Sequence, residues 1–327
     1  MFLIFIASLA AFSVSFLSVP VLIRKFRQAK MTGKDVHKPG KPDIPEMGGL
    51  AVVAGVVLGI LSAIAVTTLV TSNYVSAPGV PILSSLTEMF AALVTILLIA
   101  IIGLFDDLVS VRHSVKAVLP AIASLPLVAI AAGDPYLTLP FIGHAYLPVL
   151  FPLILIPLAV TTVSNLTNMF AGFNGLEAGM GLIGCLSLGV IAFEKGSMDA
   201  AVLLFSAASA LAAFVWFNKY PARIFIGDVG TLTIGACIVS AVIIGNFEMA
   251  GVVVMAPYLL DFVLKAKTGF PREIEFTKLQ GHKLVASRTV GLPSLLMRAT
   301  KGITEVRLVQ TIVLIELVFG AAAILLF

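Results

Sequence analysis

The feature that most limits what this chain can become is a recurring run of about twenty apolar residues, broken each time by a short polar segment. An α-helix needs roughly 17 to 25 such residues to cross a hydrocarbon core of about 30 Å. No water is available there, so every backbone N–H and C=O must be satisfied within the segment, which predicts helices and not open strands. The composition agrees, because 12% of the 327 residues are charged, about half the share of a soluble domain.

The runs predict ten spans, near residues 1–20, 47–70, 87–105, 115–132, 147–165, 177–193, 199–217, 229–245, 249–265 and 308–327. The fold class expected is therefore all-α, a polytopic membrane protein of about ten transmembrane helices in a single domain over 1–327, with both N- and C-termini outside. The first run has no basic segment before it and is followed by Arg24, Lys25 and Arg27, so it reads as an anchor that is retained and not as a cleavable signal. The longest piece outside the spans is a cytoplasmic loop at about 266–307.

With the N-terminus outside, the Lys and Arg residues on the cytoplasmic side number 7 (Arg24 to Lys41), 2 (Arg112, Lys116), 2 (Lys219, Arg223) and 9 (Lys265 to Arg307), leaving only Lys195 of 21 outside. One helix too many or too few would scatter these charges over both sides, so the asymmetry tests the span count as well as the orientation. The basic excess lies beside the membrane, where it suits anionic headgroups and anionic substrates and argues against nucleic acid. Cys185 and Cys237 fall inside predicted helices with no metal or disulfide spacing, and read as packing residues.

Ionisable residues at apolar helices cost about 2.5 to 3.5 kcal/mol each on insertion scales, so they are functional candidates. Here they gather on the cytoplasmic side. Asp106 and Asp107 close the third span in GLFDD, Asn165, Asn168, Asn174 and Glu177 lie between the fifth and sixth in NLTNMFAGFNGLE, and Asp228 opens the eighth in IFIGDVG. Carboxylate and amide oxygens without His or Cys suit a hard cation such as Mg²⁺, completed by substrate phosphates. Lys116, Arg223, His282, Lys283 and Arg288 supply charge and hydrogen bonds for phosphoryl oxygens at the same face. Gly48, Gly49, Gly172, Gly175 and Gly227 stand at helix ends there, and the starts of the second, sixth and eighth spans are expected to favour an anion.

Plainer readings compete. Asn174 alone reads as a helix cap, Arg272 and other loop cations as topology determinants, His37 and His113 as interfacial polar residues, and Asp261 as a partner for Lys265 one turn on. A secondary transporter of an anionic or nucleotide-sugar substrate also has polar residues in helices, but places its site near the midplane between inverted repeats. A scaffold would need no set of oxygen ligands.

The segments KPDIPEMGG (41–49), GLFDDLVSVRHSVKAVLP (103–120), NLTNMFAGFNGLEAG (165–179) and NKYPARIFIGDVGTL (218–232) resemble, in order and topology, the polyprenyl-phosphate N-acetylhexosamine 1-phosphate transferases. AGFNGLE, where bacterial relatives carry an Asp-containing form, resembles the eukaryotic and archaeal branch that makes the first lipid-linked sugar of N-glycosylation. The resemblance implies a UDP-N-acetylhexosamine donor, such as UDP-N-acetylglucosamine, a polyprenyl or dolichyl phosphate acceptor, and released UMP. It implies Asn168 and Asp228 as ligands of Mg²⁺, with Mn²⁺ as a substitute, and Asn165 close by. It implies Asn174 and Phe225 in a uridine pocket with Glu177 beside it, Lys116 on phosphate, and Asp106 and Asp107 as the acidic pair that orients the acceptor phosphate or helps place the metal. His282, Lys283 and Arg288 become pyrophosphate contacts, although GHKLVASR offers one His where bacterial forms are His-rich. The branch further implies membrane lipids and a homodimer as partners, in the plasma membrane of an archaeon or the endoplasmic reticulum of a eukaryote.

Overall fold

The computed structural model describes residues 1–72, 82–139, 143–271 and 273–327; Arg272 lies outside the described residues, as does the side chain of His113. The long apolar runs fold as helices. Helix α1 (Phe2–Gln28) leads into a short hairpin of β1 (Thr32–Lys34) and β2 (Asp43–Pro45), followed by α2 (Gly49–Thr71) and α3 (Leu86–Val109). Helices α4 (His113–Ala123) and α5 (Leu125–Ala129) and a hairpin of β3 (Tyr136–Leu139) and β4 (Gly143–Tyr146) come next. A π-helical turn at Phe151–Leu155 then opens α6 (Ile156–Met169). Helices α7 (Leu176–Glu194), α8 (Met198–Asn218), α9 (Gly227–Gly245), α10 (Glu248–Val254) and α11 (Ala256–Thr268) follow. The segment after them holds α12 (Glu273–Phe276), a hairpin of β5 (Thr277–Gln280) and β6 (Lys283–Ala286), and α13 (Leu292–Ala299), before the closing α14 (Glu305–Leu326).

Eight of these helices are long and apolar enough to cross a membrane. Two predicted spans take another form. The ninth is α10 and α11, bent by 60° at Met255 ahead of Pro257, and the fourth is a shorter apolar helix, Ser114–Ala129, interrupted at Ser124. The three two-stranded hairpins are additions to the all-α expectation, all in the polar connections.

Helix α9 is the axis of the bundle: every residue from Val229 to Ile244 is buried. Such a helix is hydrophobic all round because it has no lipid-facing side. Its neighbours approach through glycine. A Cβ on Gly49 of α2 would stand 2.3 Å from the Gly230 Cα, and one on Gly103 of α3 would stand 2.6 Å from backbone atoms of Asp228 and Val229. Close backbone approach is how helices associate where apolar burial gives no drive, and here it draws the C-terminal end of α3 and the N-terminal ends of α2 and α9 to one point. The loop before α9 is tied to the same place, since the Gly48 and Gly49 N–H groups donate to the Phe225 and Ile226 carbonyls at 2.8 Å.

Candidate functional site

Asp228, on the first turn of α9, is where the predicted residues converge. Its Oδ1 accepts from Asn168 Nδ2 of α6 at 2.6 Å, and its Oδ2 accepts from Lys116 Nζ of α4 at 2.5 Å. The same ammonium makes a second close ion pair with Asp106 of α3. Asn168 also donates to Thr231 Oγ1 at 2.7 Å. One cation therefore lies between two carboxylates contributed by different helices, α3 and α9.

Asp107 acts on the backbone. Its two oxygens accept from the Asp228 and Val229 N–H groups at 2.8 and 3.0 Å, satisfying donors that a helix start leaves open and placing negative charge at the positive end of the α9 dipole. Gly227 makes this geometry accessible. Its φ is +70°, and a Cβ there would lie 2.6 Å from Asp107 Oδ2 and 3.0 Å from the Met47 backbone. Asp106 also holds the turn after α3 by accepting from Val111 N at 2.8 Å.

Beside Asp228 opens a cavity of about 340 Å³. Of the residues predicted from sequence, Asn174, Glu177, Phe225 and Asp228 line it, while Asp106, Asp107, Lys116 and Asn168 stand behind Asp228 as described. The other predicted residues lie elsewhere. Asn165 donates to the Thr161 and Ala117 carbonyls at 2.8 and 3.2 Å, tying α4 to α6. His282 lines a second cavity of about 520 Å³, between the β1–β2 hairpin and the start of α14. Lys283 and Arg288 are exposed and line neither cavity.

Asn174 is no helix cap, because that position belongs to Gly175 with φ +83°. Its Nδ2 donates to Asp35 at 3.1 Å, its Oδ1 accepts from Ala222 N at 2.7 Å, and its own N–H donates to Glu305 at 2.8 Å. Lys38 joins the network, paired closely with Glu305 and with Asp35 at 3.2 Å. The amide thus clasps the hairpin, the loop before α9 and the start of α14 together. Glu177 turns back to accept from Gly172 N at 2.7 Å. Nor are the starts of α2 and α9 open to an outside anion, since the first takes backbone carbonyls and the second takes Asp107.

Sequence reasoning missed several groups that the fold brings here: Asp35, His37, Asn218, Thr231 and Glu273 line the cavity. His37 is not interfacial. It is buried and stacked on Phe173 with 4.7 Å between ring centroids. Burial, reinforced by neighbouring Lys38 and opposed by Asp35, pushes the imidazole down to about 4, so it is neutral near pH 7. Glu46, from the quoted KPDIPEMGG segment, is pushed up by burial and by the negative charge of Asp228. For Asp35, His37 and Glu46 the available signal was the concentration of polar residues between 32 and 48 in an apolar chain. Asp261 does pair with Lys265, at 2.7 Å, and Lys265 donates onward to the Met169 carbonyl at 2.5 Å. Cys185 and Cys237 are buried and free.

The Asp228 carboxylate is met by two nitrogens, Asn168 Nδ2 and Lys116 Nζ, and the other side-chain oxygens near it belong to Asp106, Asp107 and Thr231. Among the described residues no group of three or more His, Cys, Asp or Glu side chains forms a closed metal cage. The Asp228 carboxylate at the edge of the cavity, with the Asn168 oxygen turned toward it in place of Nδ2, would fit Mg²⁺, which keeps water and takes its remaining ligands from substrate phosphates.

Residues 89–246 match the family described as glycosyl transferase family 4. A protein of Saccharolobus solfataricus, provisionally named UDP-N-acetylglucosamine–dolichyl-phosphate N-acetylglucosaminephosphotransferase, is 37% identical over 83% of this chain and 80% of its own length. A protein of Sulfolobus acidocaldarius with the same provisional name is 35% identical over 98% of this chain and 95% of its own length. The phospho-N-acetylmuramoyl-pentapeptide-transferase of Shouchella clausii is 28% identical over 80% of this chain and 79% of its own.

Proposed function

The chain belongs to glycosyl transferase family 4, and from that premise we propose that it moves N-acetylglucosamine 1-phosphate from UDP-N-acetylglucosamine to dolichyl phosphate, releasing UMP and leaving a lipid-linked diphosphate sugar. This is the first step of lipid-linked oligosaccharide assembly for N-glycosylation. The family favours this reading over a transporter. The single observation that carries it is the Asp106–Lys116–Asp228–Asn168 cluster at the edge of the 340 Å³ cavity.

An oxygen of the acceptor phosphate attacks the β-phosphorus, and the bond to the α-phosphate oxygen breaks with its electron pair leaving on UMP. The attacking group is already an anion near neutral pH, so positioning and charge stabilisation outweigh general base catalysis. Lys116, held in place by two carboxylates, offers a fixed cation for phosphoryl oxygens. Asp228 and the Asn168 amide oxygen would hold Mg²⁺, with Mn²⁺ as a substitute. When bound, the ion neutralises diphosphate charge and improves the leaving group. Asp107 orients Asp228 by fixing the first turn of α9.

The Lys and Arg distribution supports a cytoplasmic site, which in an archaeal cell faces inward from the plasma membrane. Donor labelled at the β-phosphate tests the transfer. With dolichyl phosphate the label should pass into the organic phase as a lipid diphosphate; label recovered only as free sugar phosphate would mean hydrolysis and would refute the assignment.

A further inference from the structure

Three of the residues lining the 340 Å³ cavity carry a buried polar atom with no hydrogen-bond partner: His37 Nε2, Asn218 Oδ1 and Glu273 Oε2. Each of these side chains is anchored through its other half. Asn218, 2% exposed, donates Nδ2 to the Ile224 carbonyl at 2.9 Å, and Glu273 Oε1 accepts from Ser294 N at 2.7 Å. His37, 7% exposed, is clamped against Phe173, and the other side of its ring meets the Gly172 backbone, which favours the Nδ1–H tautomer and leaves Nε2 an acceptor. All three loose ends are therefore acceptors. A buried acceptor left unmade is costly, so three around one cavity mark a wall that a ligand completes by bringing N–H or O–H donors.

The polarity also tells which part of a ligand belongs there. Phosphate oxygens would meet three acceptors unfavourably, whereas Lys116 lies behind Asp228 at another part of the site. Asn174 is not free to read a ligand edge, because both halves of its amide are engaged within the protein. We infer that His37, Asn218 and Glu273 form a hydrogen-bond-accepting wall that reads the hydroxyl and N–H groups of the nucleotide sugar and sets specificity for them. This rests on the nucleotide-sugar reading above. Ribose with uracil and the hexose with its acetamido group share this chemistry, and the test separates the two sources.

Two variants change the wall with little change of shape. Glu273→Gln keeps the oxygen that Ser294 needs and turns the free acceptor into a donor; His37→Phe keeps the stack on Phe173 and removes the nitrogen. Full-length protein in nanodiscs is titrated with UDP, UDP-N-acetylglucosamine and pyrophosphate, each with Mg²⁺, and melting temperatures are recorded in parallel. Each variant should bind UDP-N-acetylglucosamine about tenfold more weakly, the equivalent of 1.4 kcal/mol, with pyrophosphate binding within twofold of the parent. An equal loss for UDP assigns the donors to the nucleoside, and a loss confined to UDP-N-acetylglucosamine assigns them to the sugar. If both variants bind the nucleotides as the parent does, or lose pyrophosphate equally, the wall has no such role while the proposed transfer stands. A parent that binds neither nucleotide overturns both.

Discussion

Asp228 and Asp261 show how burial and function separate for two acids of the same type. Asp261 holds Lys265 and the Leu292 N–H inside the protein, so Asp261→Asn should lower stability by about 3 kcal/mol, as breaking a buried pair does, with turnover per folded molecule largely kept. Asp228→Asn should melt near the parent and lose at least about 100-fold in turnover, the scale of losing one preorganised electrostatic group. Turnover corrected for folded fraction distinguishes them, and a larger loss at Asp261 would mean the site is misplaced. His37 makes a pH signature. Its unfolded form takes up a proton as pH falls through 6.5, while the folded form resists until about 4, so stability present above 6.5 is lost progressively between those values. Comparing melting of the parent with His37→Phe from pH 7.5 to 5 should show a shallower acid slope in the variant; identical slopes would contradict a buried neutral imidazole. Asn174→Ala removes a clasp between three segments, so melting temperature and UDP affinity should fall together. Retained UDP affinity with lower melting would leave Asn174 a purely structural tie.

At the scale of elements, the third, fifth and eighth predicted spans were legible because their apolar runs end abruptly in acid or amide residues. The ends of those runs are also what meet at Asp228. The bend of the α10–α11 pair had a signal that was passed over, since Pro257 falls in the middle of the predicted 249–265 run, where proline kinks or breaks a helix. The hairpins were missed because strands of three or four residues in polar loops carry no periodicity to detect. What the sequence could not give is which helix ends touch, because that depends on glycines whose significance appears only when a partner backbone lies opposite. Gly227→Ala tests this directly. A methyl group there meets Asp107 Oδ2 and is strained by the positive φ, so the variant should lose both melting temperature and turnover. Normal behaviour would show that Asp107 does not need its seat on α9.

For the whole molecule, the first and last helices bracket the site. The C-terminal end of α1 and the N-terminal end of α14 both reach the site, through the hairpin and through Glu305, so the outer ends of the two helices lie away from it. The candidate residues that cluster around Asp228 were legible as polar groups at the ends of apolar runs, and the motif resemblance then implied their roles. His37, Asn218 and Glu273 were missed because each is chemically ordinary until the fold turns it toward one cavity. The account as a whole stands on coupled phosphoryl transfer at Asp228, and the most direct measurement is UMP release by purified protein given UDP-N-acetylglucosamine, dolichyl phosphate and Mg²⁺. UMP and lipid diphosphate should form one for one, and both should vanish with excess EDTA or with Asp228→Asn. Full turnover in EDTA, or UMP formed without the lipid acceptor, would contradict it.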